Sequence, residues 1–185
     1  MRQFPDGQET HFRTPLDSRK LGIEMIYQDF ALCGNMDVGQ NIFLGRWPLR
    51  LGLFVDRARM YGDAARVLDR LKVDVNSVHA KVESLSGGRQ QSVAIARALS
   101  FEPKVVIFDE PTANLSVMAT TKLLETMAEL KRQGVSQVII SHRLTDIFEV
   151  GDRVMVLKRG VNAGERRVKD TTEKDVLELI VAGAA

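Results

Sequence analysis

The sequence has little of several things, and each shortage narrows what the chain does. It holds a single cysteine, Cys33, so no internal disulfide forms, and that usage fits a reducing compartment. Lying between Leu32 and Gly34, Cys33 reads as a buried structural thiol rather than a reactive one. No apolar run approaches the roughly 20 residues of a membrane span, and Met1-Arg2-Gln3-Phe4 shows no secretory pattern. Any membrane involved is therefore expected to come with a partner. Charge of one sign is also scarce. The 26 basic and 24 acidic side chains leave a net +2, which gives no electrostatic case for nucleic acid or a lipid surface. There is no internal repeat and no low-complexity tract. What remains is ordinary for a globular chain: 44% hydrophobic and 27% charged residues, with 185 residues to bury a core in one domain.

Hydrophobic spacing predicts a mixed architecture. Residues 1–13 read as a hairpin turning at Pro5-Asp6-Gly7, Asp17–Leu21 as a short helix, and Ile23–Tyr27 as a strand ending at Gln28. Helical spacing recurs over Val38–Leu44 and over Arg57–Leu71, where Met60, Ala64, Val67, Leu68 and Leu71 share a face. Trp47-Pro48 and Gly52 mark a surface loop, and Gly87-Gly88 leads into a helix carrying Val93 to Leu99. The last third alternates: strands at Val105–Phe108, Val138–Ser141 and Val154–Leu157, helices at Leu123–Leu130 and Thr145–Phe148. A final helix through Val181 opens on a capping box, Thr172 with Asp175. The first of those strands is an uninterrupted apolar run, as a strand buried on both faces should be, and the second reads as a buried strand as well. Strand–helix alternation implies an α/β fold with a parallel sheet, and residues of about 31–100 look like a helical lobe inserted in it.

Four segments carry chemistry. In Leu85-Ser86-Gly87-Gly88-Arg89, two glycines at a helix start leave N–H groups unobstructed beside a serine hydroxyl, a ready phosphate site. Alone, it is as readily a flexible joint before a helix. In Val105–Thr112, Asp109 and Glu110 come after a buried strand, at the carboxyl end where α/β sheets bind ligands. Asp109 there would hold Mg²⁺ and Glu110 would polarise a water, although a solvated acidic turn is the commoner meaning of such a pair. His142, after the apolar run ending at Ile140, would reach a terminal phosphate; most histidines in turns are simply solvated. Gln28, at the end of Ile23–Tyr27, is able to touch water or metal and by itself says almost nothing.

Taken in order, Gln28, Leu85-Ser86-Gly87-Gly88, Asp109-Glu110 and His142 resemble the ATP-binding cassette (ABC) ATPases. The resemblance covers essentially residues 1–182. It assigns Gln28 to the Q-loop, Ser86 to Arg89 to the signature motif, Asp109-Glu110 to Walker B with its catalytic glutamate, and His142 to the switch histidine. Gln28 would share the metal with Asp109. Ala31–Asn35, Asn41–Arg46 and Ala96–Ser100 are similar to cassettes of bacterial simple-sugar importers of the ribose, xylose or fructose type. The resemblance implies a partial ABC-type P-loop NTPase fold using ATP and Mg²⁺. It also implies a second cassette as homo- or heterodimer partner, transmembrane permease subunits, a periplasmic sugar-binding protein reached indirectly, and a peripheral place on the cytoplasmic face of the membrane. No nucleic-acid partner is expected.

The sequence departs from that family in three places. It contains no Gly-Lys pair, so the G-x-x-x-x-G-K-[ST] loop that wraps phosphates is expected to lie before Met1, in a chain truncated at its N-terminus. The fifth signature position is Arg89 where glutamine is usual, and Ser116 stands where the wider family has aspartate. Three rival readings arise: a non-hydrolysing subunit that donates its signature to an intact partner, a soluble ABC protein of DNA repair or translation, and an inactive fragment. The second is disfavoured by the short helical lobe and the lack of a coiled-coil extension.

Overall fold

The computed structural model describes residues 11–182 except 72, 74 and 114, so the hairpin expected near Pro5 lies outside the described residues. The chain opens with helix α1 (Pro15–Lys20), whose proline sits in the first turn and whose Asp17 carboxylate accepts from the Thr14 amide at 2.9 Å. Gly22, at φ 79°, turns the chain into strand β1 (Ile23–Ile26). Then come α2 (Val38–Ile42), the two-residue strands β2 (Leu49–Arg50) and β3 (Phe54–Val55), α3 (Arg57–Arg70) and α4 (Gly87–Leu99). The remainder is β4 (Val105–Asp109), α5 (Val117–Arg132), β5 (Ser136–Ile140), α6 (Leu144–Val150), β6 (Arg153–Lys158), β7 (Val161–Arg167) and α7 (Glu173–Ala182).

β1, β4 and β5 form a parallel sheet in that spatial order, with β4 in the middle. Its main hydrophobic cluster joins Ile26, Val106 and Phe108 of the sheet to Ile42, Met60, Leu68, Val93, Leu99 and the α5 residues Leu123, Leu124, Met127 and Leu130. The α3 stripe forms as the spacing predicts, with Met60, Ala64, Leu68 and Leu71 buried; Val67, at the stripe's edge, is half-buried.

Four expectations are corrected. β4 is not buried on both faces: Val106 and Phe108 are, but Val105, Ile107 and Asp109 are half-exposed. β5 departs further, since Val138 is 50% and Ile140 47% exposed; β5 is an edge strand with one neighbour among the described residues. An apolar run records hydrophobicity and says nothing of what covers it. The strand at Val154–Leu157 does not join the parallel sheet. It pairs antiparallel with β7, whose Asn162, Gly164 and charged residues gave no strand signal, and α7 covers this ribbon through Val176 over Val154, Val156 and Ala163. Finally, the loop around Gly52 is a small antiparallel ribbon, β2 with β3.

Candidate functional site

Parallel strands of matched register end together, and the residues just past their ends make the site. Ile26 lies opposite Phe108, and Asp109 opposite Ile140. The register therefore delivers Gln28, Asp109, Glu110 and His142 to one carboxyl edge of the sheet. Past the strands, the Glu110 amide continues the ladder by donating to the Ile140 carbonyl at 2.9 Å. His142, two residues beyond Ile140, then brings Nδ1 within 2.8 Å of Glu110 Oε2. A carboxylate oxygen accepts, so Nδ1 is the donor in this pair, and Nε2 lies on the far side of the ring.

Glu110 is held in an uncommon backbone conformation, φ 48°, the left-handed region that non-glycine residues mostly avoid. Such a residue typically costs about 1–3 kcal/mol, and the surroundings must fix it. Here the ladder bond to Ile140 and the turn in which the Ala113 amide donates to the Glu110 carbonyl at 3.1 Å do so. Asp109, the last residue of β4, is half-buried, and its carboxylate makes no hydrogen bond or ion pair with the described residues. A carboxylate left open at a strand end fits Mg²⁺, which takes hard oxygen ligands and is usually held by one or two carboxylates, waters and substrate phosphates. Gln28 is exposed, two residues past β1 on the same edge.

The Ser86–Arg89 segment occupies a different place, the start of α4. Ser86 is the N-cap, and its side chain makes no capping hydrogen bond. Ser86 and Gly87 are exposed, so the first amides of α4 and the hydroxyl face outward. A Cβ on Gly87 would meet nothing within 4 Å, whereas one on Gly88 would come 3.2 Å from the Ala119 Cβ. Gly87 thus keeps the approach open, and Gly88 lets α4 begin close against α5. Arg89 turns aside, its Nη1 donating to Asn76 Oδ1 at 3.3 Å. Among the described residues no hydrogen bond joins Ser86, Gly87 or Gly88 to Asp109, Glu110 or His142. The four sequence segments make two surfaces.

Sequence reasoning passed over the residues that tie these surfaces together. Gln91, 2% exposed, donates through Nε2 to the carbonyl of Pro111, next to Glu110. Arg97, further along α4, donates to the carbonyls of Phe30 and Ala31, just past Gln28. Asn41, fully buried, holds both backbone groups of Cys33. The available signal was a polar residue on the apolar side of a helix, visible for Arg97 within Ala94-Ile95-Ala96-Arg97-Ala98-Leu99. Cys33, expected buried, is a half-buried free thiol.

The sequence signature of the family described as "ABC transporter" matches residues 4–113, more than half of the chain. The chain belongs to that family. The cassette is 38% identical, over 97% of its length and 71% of the relative's, to the xylose/arabinose import ATP-binding protein of Sulfolobus acidocaldarius. It is 37% identical to the fructose import ATP-binding protein of Rhizobium meliloti, over 95% of this chain and 70% of that one. With the ribose import ATP-binding protein RbsA 1 of Streptomyces avermitilis the identity is 42%, and there the match covers 98% of this chain but 34% of the relative. Among solved structures, the ATP-binding cassette MJ0796, dimeric in a post-hydrolysis state with ADP and Pi, superposes with a TM-score of 0.69 at 25% identity, over 83% of this chain and 66% of that chain. The cbiO1 protein of Clostridium perfringens, at 24% identity and a TM-score of 0.75 over 97% of this chain and 70% of its own, shares the fold. Nucleotide binding is the property this family implies for the cassette.

Proposed function

We propose that the cassette is the ATP-binding subunit of a simple-sugar importer, coupling ATP binding and hydrolysis to passage of the sugar through a membrane partner. The observation that carries this reading is the Glu110–His142 pair, 2.8 Å apart at the carboxyl edge of a parallel sheet, with Glu110 fixed in a strained backbone conformation. In it Glu110 orients and polarises the attacking water, and His142, held by its Nδ1 contact to Glu110, turns Nε2 to the far side of the ring, where a protonated Nε2 would donate to a terminal phosphate. Asp109 and Gln28 would hold Mg²⁺, which would supply positive charge to offset that of the phosphates. Ser86, Gly87 and Gly88 form the second phosphate-binding surface; Arg89, expected to join them, turns its side chain to Asn76 instead. The reading takes residues 1–185 as one domain, with a helical lobe over about 31–100. Its partners are transmembrane permease subunits, a second cassette and, indirectly, a periplasmic sugar-binding protein, and its place is peripheral on the cytoplasmic face of the membrane. Among the described residues no helix is long and apolar enough to cross a membrane. In the assembled transporter, Glu110→Gln is expected to lower ATP turnover by about 100-fold or more while ATP still binds. Turnover at the native rate would remove Glu110 from the mechanism.

A second reading, that the 185-residue polypeptide serves chiefly to complete a partner's site, is favoured by the outward-facing, uncapped Ser86 and the open Gly87. Mixing this polypeptide with an intact cassette of the family separates the two. If it only donates, Ser86→Arg abolishes the mixed activity and Glu110→Gln leaves it nearly unchanged. Equal damage from both variants would mean that the polypeptide's own Glu110 acts on nucleotide.

A further inference from the structure

The segment carrying Gln28 is held from the helical side of the molecule at two points. Past Gln28 the chain bends through Phe30 and Ala31, and Ala31 has φ 48°, a conformation that needs outside support in a non-glycine residue. Arg97 supplies it. Its Nη2 donates to the Phe30 carbonyl at 2.8 Å and its Nη1 to the Ala31 carbonyl at 2.9 Å. Two residues beyond Ala31, the Cys33 amide donates to Asn41 Oδ1 at 2.8 Å, and the Cys33 carbonyl accepts from Asn41 Nδ2 at 2.9 Å.

The guanidinium is well suited to this task. Its planar fork grips two successive carbonyls at once, which the single ammonium of lysine does not reproduce. Burial pushes the Arg97 pKa down and the neighbouring Arg19 adds to that effect, so the site keeps a cation in an unfavourable place, where two charge-assisted hydrogen bonds compensate. Arg97 also belongs to the same helix as Ser86–Arg89. α4 is thus a rod with the phosphate-facing cap at one end and the grip on the Gln28 segment near the other.

We propose that Arg97 is a positioning residue for Gln28: by fixing the backbone at Phe30 and Ala31, it makes the direction in which Gln28 leaves β1 depend on the position of α4. The proposal rests on the reading that Gln28 serves the nucleotide site, but its first test needs no nucleotide. Cys33, the only cysteine, is held by the second clamp two residues past the first, and reports on both through its reaction rate with a chromogenic disulfide. Arg97→Met is expected to speed that reaction about 10-fold and to raise hydrogen exchange of amides 28–33 similarly, as local opening does. Arg97→Lys, whose donors all sit on one nitrogen and cannot span both carbonyls as the fork does, falls between Met and native. Amides of β4 and α5 keep native protection in both. Native rates at Cys33 and amides 28–33, or protection lost equally in β4 and α5, would overturn the proposal; should Arg97→Met not fold, Arg97→Lys decides by the same two readouts. In the assembled transporter, Arg97→Lys should lower kcat about 10-fold at unchanged KM for ATP, as misplaced catalytic groups do. An unchanged kcat beside a loosened segment would leave Arg97 a merely structural tie and end the positioning role. A native transporter without ATPase activity would instead indict the functional reading, with the Cys33 result still standing.

Discussion

At the scale of single residues, two positions trade stability against something else. Glu110 sits at φ 48°, where glycine is at ease and glutamate is not. Glu110→Gly should therefore leave stability unchanged or raise it by up to about 1 kcal/mol, the relieved strain being partly offset by glycine's backbone entropy. Glu110→Val, β-branched, should lose about 1 kcal/mol or more at the same site. Urea midpoints of the two variants check the opposite signs, and a lower midpoint for the glycine variant would deny the strain. Gly39 is the other case. A Cβ there would lie 2.5 Å from Tyr61 Cδ1, and that ring cannot step aside freely because its hydroxyl donates to Asp37 Oδ2 at 2.7 Å. Gly39→Ala is expected to destabilise by about 1–3 kcal/mol through overpacking, read as a lowered thermal midpoint.

The elements owe their ends to local chemistry and their placement to packing. α7 begins with a reciprocal box: the Asp175 amide donates to Thr172 Oγ1 at 3.2 Å and the Thr172 amide to Asp175 Oδ2 at 2.8 Å. Hydrogen bonds from the Thr172 side chain, then from its backbone, hold the Asp175 carboxyl below its usual 3.8. A depressed carboxylate contributes stability that is fully present above the unfolded pKa and is lost as pH falls through the folded one. Protection of the first turn of α7 should therefore be constant near neutrality and decline only below about pH 3.8, and in Thr172→Ala it should be weaker even at neutral pH, by exchange measurements. This box was legible in the sequence because both partners lie within four residues. What α7 covers was not. Val176, fully buried, closes the cluster of Val154, Val156 and Ala163, so Val176→Ala should cost about 2 kcal/mol by lost burial and the cavity left behind.

For the whole molecule, the side of β5 that has no strand partner among the described residues decides behaviour. Val138 and Ile140 present apolar surface along an edge strand, and Met155 and Leu157 of β6 are exposed as well. Such an edge invites pairing with another chain. The 185-residue polypeptide by itself is expected to self-associate, and Val138→Lys to reduce that without changing far-ultraviolet dichroism; equal sedimentation of the two would deny the edge its role. The sequence by itself determined every element with a strong local signature: the α3 stripe, the Ser86-Gly87-Gly88 helix start, the α7 box, and Asp109-Glu110 at the end of an apolar run. These depend on residues a few positions apart, whose interactions form whatever the rest of the chain does. Only the tertiary structure decided which apolar strands are covered, that β6 pairs with β7 rather than entering the parallel sheet, and that Glu110 meets His142 while Ser86 faces elsewhere. It also decided that Arg97, 66 residues from Ala31, reaches back to hold the turn after Gln28. Those outcomes depend on register between strands far apart in sequence and on which surfaces find a neighbour, and hydrophobic pattern alone carries neither.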